Sequence, residues 1–186
     1  MNYYIDIRLQ PDAEMRENIL LNKAFTKLHK ALWDLNSTDI GVSFPEAKVL
    51  LGRLVRVHST AERLQELIAT NWLGGLSGYC HPGYAEIQKV PAKIKYRRVS
   101  RWQHNMSESH LRRLIKRGSI TQDEIKAYKA KMFQKQMTTL PFLEIESTSS
   151  GSHHRRYIQM SDVMNEHRNG EFDTFGLSKV ATIPWF

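Results

Sequence analysis

A single histidine lies inside a segment whose apolar residues recur at helical spacing. His29 falls in a helix predicted from about Glu14 to Leu35, with Phe25 and Leu32 on or beside the same face. An imidazole with its ordinary pKa near ~6.5 can take up or release a proton at neutral pH, so His29 is a candidate general base or acid. A lone histidine at the edge of an apolar face is usually structural, and the pattern alone leaves that alternative open.

Basic side chains are concentrated in one stretch of the chain. Between Lys93 and Lys135 there are thirteen lysines and arginines against three acids, a net charge of +10, while the whole chain carries +8. A local field of one sign is typical of a surface that binds a polyanion. The sequence pI of about 9.6 fits a nucleic acid or an anionic membrane surface as partner. The alternative is a solvated helical hairpin, although solvated faces usually mix signs.

The densest part of this basic stretch is a short predicted helix, Ser107 to Arg117. Its cations share the face opposite Leu111 by i,i+4 spacing, namely Arg112, Arg113, Lys116 and Arg117. A helix about 10–12 Å across is too wide for the deep groove of a long A-form duplex. We therefore expect such a helix to enter an RNA groove only where the groove opens, beside a helix end or a hairpin loop.

Two polar residues precede this helix at i,i+2 spacing. In an extended segment Arg101 and Gln103 point the same way. Arginine can form paired hydrogen bonds with guanine and glutamine with adenine, which makes the pair a candidate for reading bases. Two ordinary surface polar residues are the alternative.

A polar turn and a basic strand follow further along the chain. Residues 147–152 read Ser-Thr-Ser-Ser-Gly-Ser, which offers hydroxyls but no Gly-x-Ser-x-Gly elbow. A flexible polar loop is the alternative.

Strand alternation puts His154 and Arg156 on one face and His153 and Arg155 on the other. His154 can stack on a base. Metal binding by the two histidines is the weaker interpretation, because no carboxylate or cysteine lies nearby.

The first half of the chain predicts the order β-α-β-β-α-β. Alternation over residues 3–9 predicts a half-buried strand before the His29 helix. Further strands are predicted at 40–44, 54–57 and 85–90. A capping box, Ser59 to Glu62 with Ser59 as N-cap, opens the second helix. This order is the split βαβ of a ferredoxin-like (RRM-like) fold, which we assign to a domain of residues 1–91.

The second half predicts a smaller α/β domain, residues 92–186, which carries the arginine-rich helix. A capping box from Thr121 to Glu124 opens another helix. Strands are expected at 142–145 and 155–160, with two short β segments around Phe172 and Ile183. The fold class is therefore α+β with two domains.

The composition argues against several other classes of protein. The single cysteine, Cys80, cannot form an internal disulfide, and without a Cys/His cluster structural zinc is not expected. No apolar run approaches the ~18 residues of a membrane-spanning helix. The N-terminus lacks the basic and apolar regions of a secretory signal. We expect a cytoplasmic protein with no metal and no cofactor.

Several separated blocks of the sequence carry a resemblance that runs over nearly the full length. They are Tyr4–Leu9 with Pro11-Asp12, Lys27-Leu28-His29, Ile40–Pro45, Val99-Ser100-Arg101 with Gln103, the arginine-rich helix, Leu140-Pro141-Phe142 with Ser147, Gly151, His153 and Arg155, Gly176–Lys179 and Pro184-Trp185-Phe186. In this order and spacing, they resemble the CRISPR precursor-RNA processing endoribonucleases of subtype I-F, within the CRISPR-associated repeat endonuclease superfamily.

The resemblance implies an enzyme that binds the hairpin of each CRISPR repeat and cuts once, at the 3′ base of the stem. The implied reaction needs no metal. The upstream ribose 2′-hydroxyl attacks the adjacent phosphorus and leaves a 2′,3′-cyclic phosphate (or 3′-phosphate) and a 5′-hydroxyl. The resemblance also implies a monomer when free, which then stays on its product in the type I-F surveillance complex. A catalytically silent hairpin-binding subunit is the alternative, followed by a DNA-binding protein of that complex.

The resemblance also implies roles for individual residues. His29 matches the catalytic histidine, as general base on the 2′-hydroxyl or general acid on the leaving oxygen. Ser147 matches a serine that holds that hydroxyl in line. Arg101 and Gln103 match the pair that reads purines at the stem base. The remaining matches are the groove-inserting residues Arg112, Arg113, Lys116 and Arg117, and His154, which falls where a ring stacks under the terminal base pair.

One position departs from the family pattern. Where a tyrosine can precede Gly176, this chain has Phe175. The hydroxyl is missing, so no proton-transfer role can be assigned to Phe175. Its ring can still fix the His29 imidazole by packing.

Overall fold

A computed structural model describes residues 1–102, 107–136, 139–146 and 153–186. The elements are β1 Tyr3–Arg8, α1 Glu17–Asp34, β2 Gly41–Ser43, β3 Leu54–Ser59, α2 Ala61–Ala69, a 3₁₀ helix Gly74–Tyr79, β4 Gln88–Lys89, β5 Lys95–Arg97, β6 Val99–Trp102, α3 Glu108–Lys116, α4 Gln122–Gln136, β7 Phe142–Glu146, β8 His153–Met160 and β9 Ile183–Trp185. Helices combine with antiparallel sheets, so the predicted α+β class is confirmed. No helix among the described residues is long and apolar enough to cross a membrane.

The first sheet has the strand order β2-β3-β1-β4, and every neighbouring pair is antiparallel. Alternation in β1 turns Ile5 and Ile7 into the core, where they are 1% and 0% exposed. Helix α1 buries one apolar stripe in the same core, including Leu21, Phe25 and Leu28. Burial of each such side chain contributes about 1.5–3 kcal/mol. The stripe therefore fixes the rotation of α1, and with it the direction of His29.

The start of α2 lies one residue later than predicted. Ser59 is not the N-cap but the last residue of β3, and its hydroxyl donates a hydrogen bond to the carbonyl of Asp39 at 2.8 Å. Thr60 is the N-cap and accepts a hydrogen bond from the Arg63 amide at 3.3 Å. The shift occurs because Ser59 pairs with Tyr3 across the β1–β3 ladder, which extends the strand through the predicted cap.

A second, three-stranded antiparallel sheet has the order β6-β8-β7, and β5 pairs with β9 in a two-stranded sheet. The three-stranded sheet packs against α1 through β7, and the Glu144 amide donates a hydrogen bond to Asn22 Oδ1 at 3.1 Å. Leu143 and Ile158 are fully buried in the same core as α1. The strands of the second half are thereby fixed relative to His29.

The predicted strand around Phe172 is wrong, whereas the one around Ile183 is confirmed. Phe172 is buried, and its amide donates to the Thr38 carbonyl at 2.9 Å, but no ladder forms there. The edge of its ring packs against Gly41 in β2, where a β-carbon would lie 2.9 Å from Phe172 Cε1. The hydrophobic signal thus marks an anchor for the chain that leads to Phe175, not a strand.

Helix α3 forms within its predicted range, and α4 begins at its predicted capping box. Ser107 accepts a hydrogen bond from the His110 amide at 3.2 Å, and Gly118, with φ of +65°, follows the end of α3. At the start of α4 the Thr121 amide donates to the Glu124 carboxylate at 2.8 Å, and the Glu124 amide donates back to the Thr121 hydroxyl at 3.4 Å. This is the reciprocal capping box that the sequence indicates.

Candidate active site

His29 projects from the fourth turn of α1 and is half-buried. Its Nδ1 is 2.9 Å from the backbone carbonyl oxygen of Thr174. A carbonyl oxygen only accepts hydrogen bonds, so Nδ1 carries the proton and donates it. In the neutral ring Nε2 is then unprotonated and able to accept a proton. The contact with Thr174 therefore selects the tautomer in which His29 can act as a base through Nε2.

The ring of Phe175 fixes the plane of the imidazole. The two ring centroids are 3.5 Å apart, and the planes are only 13° from parallel. Behind it, Phe25 and Phe175 are also stacked, at 6.2 Å and 19°. Asp173 holds the turn, because its Oδ1 accepts hydrogen bonds from the amides of Phe175 and Leu177 at 2.9 and 3.0 Å. Two consecutive residues of one turn thus hold both the tautomer and the orientation of His29.

His29 opens into a cavity of about 700 Å³ whose lining is strongly basic. Helix α1 contributes His29 and Trp33, and β6, β7 and β8 contribute most of the opposite wall. The lining contains five cationic side chains, Lys27, Lys30, Arg101, Arg155 and Arg156, and one acid, Asp34. Such a lining favours an anionic ligand beside the histidine.

The register of the second sheet places His154 and Arg156 on one face of β8. Ile145 pairs with His154, Leu143 with Arg156, and Arg101 with Ile158. Since paired residues lie on one face and alternate residues share it, His154 and Arg156 lie on the face that buries Ile158. Both side chains line the cavity, and Arg155, from the opposite face of β8, also reaches it.

Two arginines of β8 that are adjacent in sequence have different surroundings. Arg155 forms an ion pair with Glu144, with Nε and Oε1 3.1 Å apart, and the hydrogen bond raises the pKa of Arg155. Arg156 instead lies over Phe175, with Cζ 3.4 Å from the ring centroid. Burial, and secondarily the charge of Arg101, lowers the pKa of Arg156 to about 10. Arg156 remains a cation at neutral pH, although burial and the charge of Arg101 both disfavour its charged form.

The three cations of α3 and its C-cap Arg117 form a separate basic surface. Arg112, Arg113, Lys116 and Arg117 are all exposed, and none of them lines the His29 cavity. Leu111, 1% exposed, anchors the helix. Arg112 is 3.5 Å from Glu108 in an exposed pair, which contributes about 0.3–0.5 kcal/mol. The helix therefore presents its charge to solvent, and its binding to RNA stays a prediction.

The remaining predicted residues divide between the cavity and the undescribed segments. Arg101 is exposed at the cavity wall. Gln103 and Ser147 lie outside the described residues. No group of three His, Cys, Asp or Glu side chains that could hold a metal ion occurs within the described part of the chain.

Arg156 and Trp33 are among the cavity residues that were not assigned a role from the sequence. Arg156 shares a strand face with His154, which alternation did indicate, but nothing in the sequence indicated its contact with Phe175. Trp33 lies one helical turn after His29 and is 65% exposed at the cavity. An exposed tryptophan beside a candidate base is a signal that spacing alone could have supplied.

On an α+β scaffold, a histidine of fixed tautomer opens into a cationic cavity, an arrangement that can exchange a proton with an anionic ligand. A family model described as CRISPR-associated protein (Cas_Csy4) matches residues 4–186. A protein of Escherichia coli (strain UTI89 / UPEC), named CRISPR-associated endonuclease Cas6/Csy4, is 38% identical over 187 residues that cover 100% of both chains. One of the same name from Pseudomonas aeruginosa (strain UCBPP-PA14) is 36% identical over 190 residues, also 100% of both. The chain belongs to this CRISPR-associated family.

Proposed function

We propose that this protein is an endoribonuclease that cleaves precursor CRISPR RNA at the 3′ base of the repeat hairpin. The observation that carries the proposal is His29, which has a fixed tautomer and opens into a cationic cavity. The names of the curated relatives, both CRISPR-associated endonucleases, support the same reaction class. The substrate is a polyanion, in keeping with the net charge of +8.

The proposed reaction requires no metal ion. Nε2 of His29 takes the proton from the upstream 2′-hydroxyl as the 2′-oxygen forms a bond to the adjacent phosphorus. The bond from phosphorus to the 5′-oxygen breaks, and that oxygen takes a proton from solvent. The products are a 2′,3′-cyclic phosphate, which can open to a 3′-phosphate, and a 5′-hydroxyl. Ser147 is proposed to hold the 2′-hydroxyl in line with the leaving oxygen.

Recognition of the hairpin is proposed to use parts of the second half of the chain. Arg101, at the cavity wall, and Gln103 read purines at the stem base. The exposed cations of α3 hold the phosphate backbone where the groove opens. His154 stacks under the terminal base pair, close to the reacting phosphate. These contacts would keep the enzyme, a monomer when free, on its product within the surveillance complex.

The scaffold is proposed to consist of two domains that meet at the site. Residues 1–91 form a ferredoxin-like domain, and residues 92–186 form the RNA-binding domain with the arginine-rich helix. The antiparallel order β2-β3-β1-β4, with α1 after β1 and α2 after β3, supports the first assignment. On this division His29 comes from the first domain, and Arg101, His154 and Phe175 come from the second.

The test is single-turnover cleavage of the host's repeat hairpin in EDTA, with binding measured in parallel. We expect the wild type to cut and His29→Ala to bind with unchanged affinity without cutting. A wild type that binds the hairpin but never cuts it would favour the silent subunit. A requirement for added metal would contradict the proposed chemistry, and equal affinity for duplex DNA at the same salt would favour a DNA-binding protein.

A separate measurement addresses base reading. The Arg101→Ala variant should lose about 1–3 kcal/mol of binding free energy on the cognate hairpin and discriminate less between purines at the stem base. An equal loss on every stem sequence would make Arg101 a phosphate contact instead.

A further inference from the structure

Phe175 is sandwiched between a histidine and an arginine. The His29 centroid is 3.5 Å from the Phe175 centroid, and the Cζ atom of Arg156 is 3.4 Å from the same point. Two planar groups this close to one ring centre cannot share a face, because they would overlap. The guanidinium and the imidazole therefore lie on opposite faces of Phe175, no further apart than the sum of these two distances.

The guanidinium of Arg156 lacks an anionic partner in the part of the chain that the structure describes. Its Nε is buried and has no hydrogen-bond partner there. No ion pair found among the described residues includes Arg156. The charge of Asp173 also acts on Arg156, but the two side chains do not form an ion pair. A buried donor without an acceptor is unfavourable, and so is the burial of an unpaired charge; an oxyanion beside the guanidinium would offset the cost of burying its charge.

The neighbouring charges favour an anion at the same point. Arg101 on β6 and Arg156 on β8 both line the cavity, and their like charges oppose each other. Arg155 does not compete for this position, because Glu144 already pairs with it. A guanidinium presents a planar set of N–H donors that matches phosphate oxygens. Arg156 is thus the cavity cation best prepared to receive a phosphate near His29.

We propose that Arg156 is a further catalytic residue that donates hydrogen bonds to a non-bridging oxygen of the scissile phosphate, an inference that rests on the proposed function. As the 2′-oxygen bonds to phosphorus and the bond to the 5′-oxygen breaks, negative charge grows on the non-bridging oxygens. A preorganised cation stabilises that charge more in the transition state than in the ground state. Arg156 transfers no proton, and the phenyl ring between it and His29 holds both groups in place.

The first test measures single-turnover cleavage by Arg156→Met and Arg156→Lys, with folding verified by chemical denaturation. Methionine keeps an apolar chain against Phe175 but removes the charge, and lysine keeps the charge without the planar donors. We expect Arg156→Met to cut about 10²–10³-fold more slowly than the wild type and lysine to restore part of the rate. The matched control is Arg53→Met, which removes an exposed arginine that pairs with Glu17 at the other end of α1. It should cut at the wild-type rate.

The second test does not depend on cleavage. Affinity is measured for two repeat hairpins with 2′-deoxyribose at the attacking position, one carrying the scissile phosphate and one ending before it. The wild type should prefer the phosphate-bearing hairpin, and Arg156→Met should lose most of that preference. If Arg156 has a purely structural role, Arg156→Met should weaken both complexes equally and leave the preference intact, and this result would overturn the proposal. Cleavage by Arg156→Met at the wild-type rate would overturn it as well. If the wild type never cuts but prefers the phosphate-bearing hairpin in an Arg156-dependent way, the proposed function is contradicted. The contact between Arg156 and the phosphate would then still be supported.

Discussion

Gly176 connects the turn that orients His29 to the first sheet, and its replacement by alanine should be strongly destabilising. Its φ is +67°, and its carbonyl accepts a hydrogen bond from the Val42 amide at 2.9 Å. A β-carbon at this position would overlap a methyl group of Val42 and lie 3.0 Å from the Val42 Cβ. Val42 is completely buried in β2 and cannot easily move.

The expected magnitude has two parts. An alanine at positive φ costs about 1–2 kcal/mol. Forcing a methyl group into a packed contact costs a further 1–3 kcal/mol or so. The Gly176→Ala substitution should therefore lower the free energy of unfolding by about 2–5 kcal/mol. If the turn moves to relieve the overlap, the Thr174 carbonyl and the Phe175 ring leave His29, and cleavage by the folded protein should slow as well.

Two other glycines separate these contributions in urea unfolding experiments. Gly118 has φ of +65° but open space around its α-carbon, so Gly118→Ala reports the conformational part alone. Gly75 has open space and no positive φ, so Gly75→Ala should be nearly neutral or slightly stabilising. The order of destabilisation should be Gly176, then Gly118, then Gly75. If Gly176→Ala is no more destabilising than Gly118→Ala, the overlap with Val42 does not exist and the reasoning fails.

Three further predictions concern other parts of the molecule. The Arg113→Ala variant should bind the hairpin less tightly, with a slope of log affinity against log salt smaller by about one unit, and an unchanged slope would exclude a phosphate contact. If a base from beyond the cleavage site stacks on the exposed Trp33 ring, Trp33→Ala should weaken binding of the extended RNA by about 1–3 kcal/mol. An equal loss of affinity for the hairpin that ends at the cleavage site would exclude this stacking. Burial lowers the pKa of His58 to about 3, whereas an unfolded histidine titrates near ~6.5, so acid protonates the unfolded state first. The free energy of unfolding should therefore fall below about pH 6.5, by up to ~1.4 kcal/mol per pH unit, and the stability difference between wild type and His58→Gln should shrink on acidification. A constant difference between about pH 7 and pH 5 would contradict the burial of a neutral His58.

The parts of the fold that depend on short-range patterns were predictable. Periodicity located α1, and alternation located β1, because both signals come from one buried face of one element. The N-cap at Thr60 was missed because Ser59 and Thr60 both have capping side chains, and pairing with Tyr3 decides between them. Phe172 was misassigned for a related reason. Burial was correctly indicated, but an isolated anchor and a strand have the same apolar signature.

The candidate site was predictable only where chemistry is visible in residue type. His29 was recognisable as a possible base, and the resemblance selected it. Its hydrogen bond to Thr174 joins residues 145 positions apart, so no local pattern could indicate it. The contact of Arg156 with Phe175 likewise depends on how the chain after β8 folds back toward α1. Gln103 and Ser147 stay predictions from the resemblance.

The surroundings of His29 also bear on the missing tyrosine hydroxyl. The backbone carbonyl of Thr174 sets the tautomer, and the Phe175 ring sets the plane, so neither task requires a hydroxyl. The aromatic ring packs against His29 on one face and against Arg156 on the other. On the proposed function, a Phe175→Tyr variant should therefore leave the orientation of His29 unchanged. Any gain in its cleavage rate would then measure what the hydroxyl does in proton transfer, separately from what the ring does in positioning.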